Sequence, residues 1–142
     1  MICRRSNDAG SATLELTILA PALLVVLALA MLAGRIETTS SAVEQAASAG
    51  ARDASLARTP SGARAAALAT ARASLASQGI DCRSLDVDVD TAGFLVPAGV
   101  ASVVRVTVDC LVSLADLAVP GVPGTRSVRA SMTSPLDTYR SR

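Results

Sequence analysis

The spacing of apolar and polar positions divides the chain into stretches of different period. Residues 1–15, MICRRSNDAGSATLE, are polar, with Arg4 and Arg5 near the start. Residues 16–33, LTILAPALLVVLALAMLA, carry no charge. Those eighteen residues reach the lower limit for a membrane-spanning helix, covering roughly 27 Å of a ~30 Å hydrocarbon core. Extending the helix back through Ser11–Leu14 supplies the missing length and brings Glu15 to the membrane. Pro21 would break a soluble helix but is tolerated in a membrane helix that has neighbours. From Arg35 to Ala57, Ile36, Val43, Ala47, Ala51 and Ala54 recur at helical spacing. The pattern predicts one helix from about Ser11 to Ala57, although Gly50 costs it about 1 kcal/mol relative to alanine.

Thr59-Pro60-Ser61-Gly62 interrupts that helix. Residues 63–78 predict a second, alanine-rich helix with Leu68 and Leu75 on one stripe and Gly79 at its C-cap. The period then changes to two. Leu85, Val87 and Val89 alternate with Asp86, Asp88 and Asp90, and Val104, Val106, Val108, Cys110 and Val112 share a face opposite Arg105, Thr107 and Asp109. Between them, TAGFLVPAG reads as a turn-rich connector. LADLAVPGVPG reads as a loop, Val128, Ala130 and Met132 mark a third strand, and SPLDTYRSR reads as a polar tail. The fold class is α+β: a long N-terminal transmembrane helix continuing into a small domain with a second helix and a three-stranded antiparallel sheet. The organisation expected is a cytoplasmic leader over 1–10, a membrane helix over 11–34 and an extracytoplasmic domain over 35–142.

Charge sets the orientation. Arg4, Arg5 and the initiator amine precede the span, whereas Glu37 and Glu44 follow Arg35, so the N-terminus is expected in the cytoplasm and the rest outside. The domain has little to build a core from: Phe94 and Tyr139 are the aromatic residues, leaving Val, Leu, Ile and Ala.

Composition excludes much chemistry. The chain has no His, and all thirteen basic residues are Arg. That removes a Ser-His-Asp triad, a histidine metal site, a Schiff-base lysine and a Walker lysine. A net charge of +1 and the scarcity of aromatic rings argue against nucleic acid as a partner. Neither a catalytic residue, a cofactor nor a small-molecule substrate is indicated. The run Asp86–Asp90 fails as a calcium loop, because Thr91 and Pro97 stand where Gly and Glu are needed; a solvated strand face explains it. Of three cysteines, Cys82 and Cys110 fall in the oxidising compartment on neighbouring elements and are expected to bridge, the alternative being two unrelated buried thiols. Cys3 lies in the leader, ahead of the apolar run, where it cannot be a lipobox cysteine.

Gly10-Ser11-Ala12-Thr13-Leu14-Glu15, running directly into the apolar stretch, resembles the type IV prepilin signal, with the glutamate at the fifth position after the glycine. With VRVTVDC, VPG and RASMTSPLD towards the C-terminus, the chain resembles the TadE-like pseudopilins, minor components of tight-adherence (Flp) pilus systems. Leu16 follows Glu15 where the major Flp pilins usually carry Tyr, and those pilins are much shorter. The resemblance implies cleavage between Gly10 and Ser11 by a prepilin peptidase, Glu15 as an assembly contact, and other Flp/Tad pilus components and the membrane as partners. Physically, a carboxylate in hydrocarbon costs ~2.5–3.5 kcal/mol. A new ammonium at Ser11, one helical turn away or on a neighbour, is a natural counter-ion. Two other readings stay open: in one Glu15 marks the helix N-terminus at the interface, where it favours the dipole; in the other, cleavage after Ala28-Leu29-Ala30 makes the run a secretory signal. The chain would then be a plain anchored or secreted extracytoplasmic binding module.

Overall fold

The computed structural model describes residues 9–113 and 124–139, with the side chains of 9–14 and 32 left aside. The leader through Asp8, with Cys3, most of the LADLAVPGVPG loop and the last three residues lie outside the described residues. The fold is α+β: α1 (Ala9–Leu56), α2 (Pro60–Ser77), β1 (Ser84–Asp90), a short 3-10 turn (Ala92–Leu95), β2 (Val103–Ser113) and β3 (Thr125–Pro135). The chain divides into two units at Gly34 and Arg35, and α1 contributes to both.

In the first unit α1 continues through Pro21, and its described apolar side chains are exposed, among them Leu16, Ile18, Leu23 and Val26. Such a surface is not stable in water and calls for lipid or other apolar helices.

The second unit is built on alanine. Val43, Ala46, Ala47, Ala51 and Ala54 of α1 are buried, as are Ala63, Ala67, Ala71 and Leu75 of α2 at a strict spacing of four. Small side chains let backbones approach. At Gly50 an added Cβ would stand 3.3 Å from the Ala67 carbonyl oxygen and 3.6 Å from Val106 Cγ1. The glycine that weakens the helical pattern is thus a point where α1, α2 and the sheet meet closely. A hydrogen bond from the Thr70 hydroxyl to the Asp53 carboxylate also ties the two helices.

Both ends of α2 are capped. Thr59, in extended conformation, accepts a hydrogen bond from Gly62 N–H at 3.1 Å, with Pro60 in the first turn. At the other end Gln78 is the C-cap and Gly79, one residue beyond, adopts φ +68°. The Gly79 and Ile80 amides bond back to Ala76 and Leu75 carbonyls, both at 3.0 Å, which is a Schellman ending. The buried stripe is the alanine row with Leu75, while Leu68, expected on it, is half-buried.

The sheet is antiparallel in the order β1-β2-β3. Its inward rows are Leu85–Cys110–Val128, Val87–Val108–Ala130 and Val89–Val106–Met132. The period-two expectation holds for all three strands. Phe94, in the connector, is buried, and Gly93 beside it is obligatory because a Cβ there would overlap the Val103 carbonyl. The tail is less polar in structure than in sequence. Ser134 and Pro135 close β3, and Leu136 is buried in the core with its amide bonded to Ser102 O at 2.9 Å.

Candidate functional site

The N-terminal site is a short stretch of helix followed by an exposed apolar surface. Helix α1 begins at Ala9, two residues ahead of the expected start, so the Gly10–Ser11 peptide lies in its first turn. A first turn lacks intrahelical acceptors for its N–H groups, and glycine adds backbone freedom, so this is the easiest part of the helix to open. Glu15 follows four residues after Ser11, one turn up the helix and about 6 Å along its axis. Its side chain is exposed, and the apolar run begins at the next residue. Among the described residues one helix is long and apolar enough to cross a membrane. Its most apolar window has mean hydropathy 2.7, and none of that window is buried. The site is therefore a single carboxylate at the head of an apolar cylinder, with a readily opened turn before it.

Residues 10–52 match the family model of TadE-like proteins, a family of Tad pilus-associated structural components. Over that stretch this chain is similar to the TadE-like proteins. The match takes in the first turn, Glu15, the whole exposed apolar run, and the buried-alanine half of α1 up to Arg52. No curated protein and no solved structure matches the chain.

The other candidate residues belong to the second unit. Cys82, ahead of β1, and Cys110, in mid-β2, stand at disulfide distance with their Cα atoms 5.4 Å apart. Cys110 is fully buried on the inward face and Cys82 half-buried at its rim. Asp86, Asp88 and Asp90 point to the outer face, and Asp86 lies directly opposite Asp109 of β2. Among the described residues no group of three His, Cys, Asp or Glu side chains is arranged to hold a metal ion.

What strand spacing alone could not show is how charge is distributed across the sheet. The two outer strands carry opposite charge: three Asp and no basic residue on β1, Arg126 and Arg129 with no acidic residue on β3. Seeing it requires the strand order.

Proposed function

We propose that this chain is a minor pilin of a tight-adherence (Flp/Tad) pilus, held in the membrane by residues 16–33 until a prepilin peptidase cuts between Gly10 and Ser11. The observation that carries the reading is the TadE-like match beginning on a stretch of helix whose described apolar side chains between residues 16 and 33 are exposed, with one carboxylate at its head. An anchor needs the apolar run, and a carboxylate at its edge brings it only a small dipole gain of about 0.3–1 kcal/mol. A subunit that packs laterally has more use for it, because Glu15 of one copy can pair with the Ser11 ammonium of its own or a neighbouring helix. The N-terminus is cytoplasmic and the second unit extracytoplasmic. There the protein joins the other pilus components in a structural role, and the Cys82–Cys110 bridge forms in the oxidising compartment.

The test is the mature N-terminus of protein recovered from a piliated cell. Ser11 is expected, and bulky Gly10→Val is expected to accumulate full-length protein in the membrane. An N-terminus at Met31 would mean a secretory signal, and an uncut chain a plain anchor. Either result, or normal maturation of Gly10→Val, would overturn the processing step.

A further inference from the structure

The sheet has three strands, and among the described residues β1 and β3 each pair with β2 alone. Both outer edges therefore present unpaired backbone donors and acceptors, which proteins normally guard with charge. Here the guards have opposite sign. SLDVDVD contributes three carboxylates to the β1 edge, and TRSVRASMTSP contributes two guanidinium groups to the β3 edge. The side chains of Asp86, Asp88, Arg126 and Arg129 engage in no hydrogen bond or ion pair among the described residues.

We propose that copies of this chain join side by side through the sheet, the acidic edge β1 of one copy pairing with the arginine-bearing edge β3 of the next. Direction and charge select this pairing over the others. Because β1 and β3 each run antiparallel to β2, they run the same way. A second copy displaced sideways, with its helices on the same face, therefore offers β3 as a parallel neighbour of β1. The alternatives are two-fold pairs, β1 with β1 or β3 with β3, and these set carboxylates against carboxylates or guanidinium groups against one another. The apolar layer points the same way. Leu85 and Val87 on one rim and Val128 and Met132 on the other pack against the core but are only partly buried, so edge pairing would continue the inward rows from copy to copy. The contact uses different surfaces on its two sides, so it is heterologous and need not close at a dimer.

This deepens the pilus reading by giving the second unit a contact with its own kind, but its test does not depend on pilus formation. A photo-crosslinking residue replaces Thr133, exposed on β3, in the full chain in membranes. The expected product is a ladder of multimers with adducts mapping to residues 84–90 of another copy. The paired reversals D86R/D88R and R126D/R129D should each reduce the ladder at least about tenfold, since edges of opposite charge become edges of like charge. Arg129 shares the outer face with Asp86 and Asp88 and makes the direct cross-strand contact, while Arg126 lies in line with the inward Val112 and adds only to the charge of the edge. Mixing the two variants, or combining all four changes in one chain, should restore it, which variants that merely misfold would not do. No inter-copy product, adducts between like edges, or a ladder indifferent to reversal would overturn the proposal. Processing and piliation scored in the same cells keep the readings apart: no edge crosslinks in the unaltered chain, with normal maturation and piliation, would sink this inference and leave the pilus reading standing.

Discussion

Reducing the Cys82–Cys110 bridge should loosen the sheet far more than the local contact suggests. The two cysteines are separated by 28 positions, and the closed segment contains all of β1, the Phe94 turn and most of β2. In the chain-entropy account, releasing a loop of that length restores about 12 cal/mol/K to the unfolded state, or roughly 3.5 kcal/mol at 25 °C. A small core built from alanine and valine cannot absorb that easily, since domains of this size have ~5–15 kcal/mol in total. Reduction leaves both sulfur atoms in place, so it isolates loop closure from packing. Replacing both cysteines by alanine adds the void left by Cys110 Sγ at a fully buried position and should be worse. The assay is peptide-resolved amide exchange on the full chain in detergent, oxidised against reduced. A loss of ~3.5 kcal/mol corresponds to several-hundred-fold faster exchange in β2, at about 1.4 kcal/mol per factor of ten. Exchange in β2 changing less than about threefold would refute the reasoning, because the closed loop would then add nothing that packing does not already supply. Free thiols at both positions in surface-derived protein would refute the pairing itself.

Three further substitutions test other joints. Gly50→Leu should destabilise the second unit by about 1–3 kcal/mol by forcing α1 off Ala67, whereas Gly50→Ala should be nearly neutral, its tight contact at 3.3 Å offset by the gain in helix propensity; faster exchange in α2 reads the first, and a tolerated leucine would refute the close approach. Thr59→Ala should cost about 1 kcal/mol through the lost cap on Gly62, seen as fraying confined to the first turn of α2. Glu15→Gln should leave membrane insertion intact while lowering crosslinking to the other pilins and surface piliation; wild-type crosslinking and piliation would mean that Glu15 only marks a helix end.

The elements were legible where one periodicity dominated. Val104, Val106, Val108, Cys110 and Val112 alternate without interruption, and all five are buried. The helices were legible as helices, and so was the packing face of α1, where Val43, Ala47, Ala51 and Ala54 are buried as spaced; the face of α2 was legible only at Leu75. A reading that weights large apolar residues chose Leu68, whereas the structure buries Ala63, Ala67 and Ala71. The reason is geometric: where two helices meet at Gly50 and the Ala67 carbonyl, a small residue is worth more than a large one, since close approach brings backbone atoms themselves into contact. Leu136 was passed over for a different reason. One apolar residue within SPLDTYRSR has no periodic partner, and the amide bond to Ser102 that seats it is a long-range contact.

The candidate site divides in the same way. Its N-terminal part is encoded in consecutive residues, Gly10, Ser11, Glu15 and the run after them, so a linear pattern suffices to find it. A cross-strand relation such as Asp86 opposite Asp109 appears only once register is known, because those residues are distant in sequence. That juxtaposition also bears on what the sheet face is for. Like charges directly opposite each other destabilise a strand pair, and Asp109 is partly offset by the Ser127 hydroxyl donating to it at 2.6 Å and by Arg129 standing opposite it on β3, while Asp86 has no such donor. A sheet meant only to cover α1 and α2 would be more stable with threonine at position 86. Retaining the carboxylate is reasonable if its role is at the edge rather than in the pair, repelling a second β1 and leaving the arginine-bearing β3 as the strand that fits.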